Sequence, residues 1–222
     1  MKIAIIGTVG IPAKYGGFET LVHHLVKNLK GEYSFTVYCS SRAYKEKIST
    51  FESAKLKYVP LNANGMQSVI YDFISMVSAF FSKHDILLIL GVSGASFLPI
   101  LKLFFSKKII LHIDGLEWKR NKWSPLAKKF LKFSERIGIG ASDVVIADNS
   151  HIQSYIYNTY QRDSVLIEYG ADHIIKSKQI IDDGKYAFSV CRIEPENNVH
   201  LILEAFSRIS DKLKFVGNWD RS

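Results

Sequence analysis

The sequence predicts an α/β fold: a doubly wound parallel sheet followed by the beginning of a second unit of the same kind. Three observations carry the prediction. Short apolar runs alternate with amphipathic segments along the 222 residues, the pattern of βαβ crossovers. Residues 86–90, Ile-Leu-Leu-Ile-Leu, are continuously apolar, as a strand covered on both faces must be. The chain also opens as strand, glycine-punctuated loop and helix, which aims backbone N–H groups and the positive end of a helix dipole at an anion.

In chain order, residues 2–6 form the first strand and stop at Gly7. The loop that follows ends in Tyr15-Gly16-Gly17-Phe18-Glu19-Thr20 and enters a helix whose Phe18, Leu21, Val22, Leu25, Val26 and Leu29 make one apolar stripe. Strands are expected at 34–40, 55–61, 86–90, 108–112, 144–147 and 165–167. Helices are expected at 66–81 and 97–105, both largely buried. A cationic helix at 124–137 takes Ser124 as N-cap and Pro125 as first residue. Ser150 is expected to cap the next helix. Ligands of such sheets bind beyond the carboxyl ends of the strands, where 8–17, 91–94, 114–118 and 169–172 fall. This makes 1–172 one domain and 173–184 a linker, with 185–222 a single βαβ unit (strand 186–193, helix 198–209, strand 213–216). One such unit leaves strand faces uncovered, so it either docks on the first domain or has the rest of its own domain on chain not included here, the second being the expectation.

Composition narrows the function. Apolar residues make up 47% and the formal charge is +8. Cys39 and Cys191 fit neither a disulfide framework nor a metal spacing, and read as buried thiols of a reduced, cytoplasmic compartment. No signal peptide is apparent. Residues 86–101 are broken by Gly91, Gly94 and Pro99 and are too short for a bilayer helix. Between Lys102 and Arg136 ten basic residues stand against three acidic ones, with Trp118, Trp123, Phe130 and Phe133 between them. The segment 102–136 reads either as a solvated helix face or as a surface that docks on anionic membrane or receives a phosphate-bearing substrate. Nucleic acid is not indicated, because no helix-turn-helix, RNP or zinc-finger signature accompanies the charge.

Several motifs together resemble the retaining GT-B glycosyltransferases of family 4, and within them the rhamnosyltransferase-like branch of capsule and O-antigen assembly. They are the opening strand and Tyr15–Glu19, Asp114-Gly115-Leu116-Glu117-Trp118-Lys119-Arg120, Tyr169-Gly170-Ala171-Asp172, and Cys191-Arg192-Ile193-Glu194-Pro195-Glu196-Asn197. The resemblance implies two Rossmann-like domains, a nucleotide-diphospho sugar donor, a lipid-linked or oligosaccharide acceptor, and no metal or other cofactor. It places Gly16 and Gly17 at the donor phosphates with Arg192, and Asn197 where relatives carry a lysine. It places Asp114 at the reacting sugar, where many relatives have a histidine, while His112 reads as a satisfied core residue. Tyr15, Glu19, Glu117, Trp118 and Arg120 are the acceptor- or substrate-side candidates, and Glu194 and Glu196 are expected to be solvated. The donor's carboxylate pair would lie beyond residue 222. Two alternatives stay open: a non-catalytic acceptor-binding remnant or half of a split transferase, and an NAD(P)-dependent oxidoreductase. The second lacks G-x-G-x-x-G spacing and an acidic residue ending the second strand.

Overall fold

The computed structural model describes residues 1–14, 16–104, 106–170 and 184–219. It divides into two compact units, Met1–Lys119 with Pro125–Tyr169, and Arg120–Ser124 with Gly170–Ser222.

The first unit is built on an eight-stranded sheet in the order β3-β4-β2-β1-β5-β6-β7-β8. Its strands are β1 (Lys2–Ile6), β2 (Ser34–Ser40), β3 (Thr50–Phe51), β4 (Ala54–Val59), β5 (Ile86–Leu90), β6 (Lys108–Ile113), β7 (Val144–Ala147) and β8 (Val165–Leu166). All neighbours pair in parallel except β3, a two-residue strand that turns back antiparallel on β4. The sequence did not announce that hairpin, since so short a strand carries no period. The helices are α1 (Gly17–Asn28), α2 (Ser68–Phe80), α3 (Leu98–Phe104), α4 (Pro125–Ala141) and α5 (Ser150–Tyr160). The expected doubly wound parallel sheet is therefore present. Its strand order reverses between β1 and β5, and this is where such sheets open a crevice at their carboxyl ends.

Burial explains why these segments fold as they do. The apolar stripe of α1 packs Val22 and Val26 onto Ile5, Phe35, Val37 and Leu56, with Phe18, Leu21, Leu25 and Leu29 at its margin. In β5, Leu87 and Ile89 are fully enclosed. Burial is incomplete in the helices after the switch point. Helix α2 buries Tyr71, Met76 and Phe80 but exposes Ile70 and Ile74, with Phe81 exposed just past its end; α3 buries Leu98 and Leu101 but exposes Ile100, Leu103 and Phe104. The expectation of two largely buried helices is corrected accordingly: each buries one face. Two further expectations change. Asn149, not Ser150, caps α5, its side-chain oxygen accepting the Ile152 N–H at 2.9 Å. Cys39 is buried, and burial pushes its thiol up to about 11, but Cys191 is only half-buried.

The described part of the second unit has two parallel strands, β9 (Tyr186–Val190) and β10 (Lys212–Val216), with α6 (Val199–Ser207) between them. Phe188, Val190 and Val216 are more than half exposed on this two-stranded sheet. The expected linker lies outside the described residues apart from Gly184. No described helix is long and apolar enough to cross a membrane.

Candidate functional site

The loop after β1 is held by α1 itself. The buried Glu19 carboxylate accepts the Thr8 hydroxyl at 2.9 Å and the Val9 N–H at 2.7 Å, and Tyr71 donates its hydroxyl to the Thr8 carbonyl at 3.0 Å. Glu19 is thus occupied by the loop's own groups and shapes the loop. Gly16 takes φ +120°, and a Cβ there would meet the Glu19 carboxylate at 1.8 Å, so no other residue fits without disruption. Gly17 differs. Among the described residues a Cβ on it would meet nothing within 4 Å, so that side of the backbone is open at the first turn of α1. Among the described residues no side chain caps that helix N-terminus, which leaves its first N–H groups to point outward.

Beside this terminus the end of β6 brings His112 and Asp114 to the same edge. The His112 ring lies 5.5 Å edge-on from Phe18 of α1 and 5.9 Å from Tyr169. His112 is 4% exposed, and its Nε2 has no hydrogen-bond partner among the described residues. Burial lowers its pKa to about 4, so the ring is neutral near pH 7. The reading of His112 as a satisfied core residue is corrected here: one ring nitrogen is buried and unpartnered. Asp114, two residues on, is exposed. Tyr169 has its hydroxyl pKa raised by burial first, then by the charges of Asp114, Asp148 and Glu19. The charges of three carboxylates, from the ends of β6 and β7 and the start of α1, are therefore felt by one phenol. Asp148, at the end of β7, has its own pKa raised by burial and accepts a hydrogen bond from the Asn149 amide at 2.7 Å. Motif reading missed Asp148, because an acid ending a strand carries no pattern of its own.

The 114–120 segment continues as a short 3-10 turn, Glu117–Lys119. Trp118 carries the ammonium of Lys132 at 4.4 Å and that of Lys119 at 5.5 Å over its ring, while Glu117 is half-buried in the same turn. Behind it, a fully buried Glu135 of α4 accepts both the Tyr155 and Tyr160 hydroxyls at 2.6 Å. Tyr15 lies outside the described residues, as do Ala171 and Asp172.

The second unit holds the remaining candidates. Glu194 pairs with Arg120 at 3.1 Å and with Arg192 at 3.2 Å. It bridges two arginines, which differs from the expected solvated loop charge. The Asn197 amide donates to the Arg192 carbonyl at 2.8 Å and so staples the 192–197 loop, while the Arg192 guanidinium stays half exposed. Among the described residues no group of three His, Cys, Asp or Glu converges to hold a metal ion.

A family model described as "Domain of unknown function (DUF1972)" matches residues 1–172. No curated protein matches the chain. Among solved structures, a sucrose-phosphate synthase from Thermosynechococcus elongatus superposes with TM-score 0.74 at 14% identity, over 100% of this chain and 64% of its own. The catalytic domain of starch synthase IV from Arabidopsis thaliana, bound to ADP and acarbose, gives 0.64 at 12%, over 97% of this chain and 68% of its own. The lipopolysaccharide outer core galactosyltransferase WaaB gives 0.56 at 18%, over 99% of this chain and 62% of its own. At such identities the likeness is one of fold, and the chain spans 64% of the length of the sucrose-phosphate synthase.

Proposed function

The chain belongs to the family of the domain DUF1972, and from the geometry of its site we propose that it serves as a retaining glycosyltransferase. The donor is a nucleotide-diphospho sugar and the acceptor a lipid-linked or oligosaccharide hydroxyl in surface-polysaccharide synthesis. Rhamnose is the sugar that the motif resemblance favours. The fold likeness to a starch synthase carrying ADP and to a galactosyltransferase supports a nucleotide-sugar donor. The placement proposed is cytoplasmic, peripheral at the inner face of the membrane.

One observation carries the reading: an uncapped helix N-terminus with open backbone at Gly17 stands beside a buried, unpartnered histidine nitrogen and a group of carboxylates. The N-terminus suits the donor diphosphate. The neutral His112 nitrogen suits a sugar hydroxyl, whose bond would satisfy it. Asp114 and Asp148 suit the positive charge that develops at the anomeric carbon as its bond to the diphosphate breaks. The new bond forms to the acceptor oxygen, and the acceptor's proton passes to the departing phosphate oxygen.

Gly17→Val tests this directly. Its Cβ has room, so the fold should survive, whereas Gly16→Val would fail through strain and report nothing. Calorimetric titration with UDP, dTDP, ADP and their sugar conjugates should show at least about a tenfold loss of affinity in Gly17→Val. Unchanged affinity would remove the loop assignment. Binding of a nucleotide sugar without transfer to any acceptor would assign this polypeptide a binding role alone.

A further inference from the structure

The layer formed by α2, α3 and α4 has an outer face that water alone does not explain. The helices adjoin: the Phe73 ring of α2 lies 4.5 Å from Phe97 at the entry to α3, and a Cβ on Gly138 of α4 would lie 2.6 Å from Ala95 just before α3. Their inner faces are buried in the ordinary way. Their outer faces carry Leu103 at 81%, Phe104 at 73% and Leu126 at 78% exposure, with Ile70, Ile100 and Phe133 also more than half exposed. Single exposed apolar side chains are common, but a run of them over three adjoining helices marks an interaction surface.

Charge identifies what the surface meets. The only acidic residues in the three helices are Asp72 and Glu135, and both are buried, at 4% and 0% exposure. The outer face therefore presents no carboxylate of its own. On α4, Leu126, Lys129, Phe133 and Arg136 follow at i, i+3, i+7 and i+10, which gathers two large apolar and two cationic side chains on one narrow stripe. Lys129, Phe133 and Arg136 are exposed. A second copy of the same face would bring like charges together, which disfavours self-association. Apolar side chains flanked by cations, with Asp143 paired to Lys102 at the end of α3 and no exposed acid from the three helices themselves, complement a bilayer of anionic phospholipid.

We propose that the outer face of α2–α3–α4 is a bilayer-docking surface for anionic phospholipid. Leu103, Phe104, Leu126 and Phe133 enter the acyl boundary while Lys129 and Arg136 lie at the level of the phosphates. The inference deepens the membrane-side part of the function proposed above and rests on it for its purpose, whereas its physics requires no glycosyl transfer.

Co-sedimentation of the full chain with vesicles tests it, using phosphatidylcholine alone and equal parts phosphatidylcholine and phosphatidylglycerol. The chain should sediment with the anionic vesicles, bind neutral ones much more weakly, and release as salt rises. The paired substitution Leu103→Glu with Phe104→Glu, and separately Lys129→Glu with Arg136→Glu, should each lower the partition coefficient at least about tenfold. All four positions are exposed, so thermal melts should match the parent. Nucleotide affinity, measured separately, should also match in both variants, so failure of donor binding and failure of lipid docking register in different assays. Equal binding to neutral and anionic vesicles, no binding to either, or full binding by the Leu103/Phe104 variant would overturn the proposal. So would a dimer in sedimentation velocity that the same substitutions abolish, which would make the face a contact between copies.

Discussion

Asp72 is enclosed on α2 with one carboxylate oxygen unpartnered among the described residues. Burial, opposed by the Gly94 N–H, raises its pKa from 3.8 to about 8. The folded chain therefore keeps a proton that the unfolded chain has released, and stability falls as pH climbs toward 8 by on the order of 1.4 kcal/mol per unit. His112 acts in the opposite sense. Its pKa drops from 6.5 to about 4, so between those values the unfolded chain binds the extra proton and stability rises with pH. His84, also lowered by burial, adds to that rise. The slopes oppose one another below pH 6.5, and of these three groups Asp72 alone continues to contribute above it. Urea unfolding should show stability declining between pH 6.5 and 8, and Asp72→Asn should flatten that decline. An unaltered decline in the variant would contradict the assignment. Neither group could be identified from its neighbours in sequence, because each shift arises from burial by distant parts of the chain.

At the scale of elements, helix starts repay close attention. The N-terminus of α1 has no side-chain cap, whereas that of α5 is closed by Asn149. Removing the second should cost stability and removing a neighbour should not. Asn149→Ala is expected to lose about 1 kcal/mol in a denaturant melt, with Ser150→Ala near neutral; the reverse order would restore Ser150 as the cap. The two residues stand side by side, and both are good cap types, so composition could not choose between them. The choice fell to backbone: Asn149 is extended, while Ser150 is already the first residue of the helix. Element existence was otherwise well marked, since the stripe on α1 and the apolar run of β5 are local patterns. The β3 hairpin was not, being too short to show a period.

For the whole molecule, the two units differ in how fully they enclose their strands. Ile5 and Leu87, on the central strands of the first unit, are wholly buried. Phe188 and Val216 on the two-stranded sheet of the second are more than half exposed, and an isolated pair of strands is marginal in water. Native-state hydrogen exchange should therefore find the amides of β9 and β10 at least about a hundredfold less protected than those of β1 and β5. Equal protection would show that the second unit shares the first unit's cooperativity.

The sequence by itself determined the kind of fold, the strands and helices of its first 170 residues apart from the β3 hairpin, and the glycine loop at their head, because burial imposes periods of two and near four on neighbouring residues. Three matters were decided only by tertiary structure. Glu19 turned inward onto its own loop, His112 met Phe18 and Tyr169 at the sheet edge, and the acids of α2 and α4 were buried, leaving a cationic, apolar outer face. Each depends on which strands lie side by side, and that follows from the packing of the whole sheet rather than from any local period.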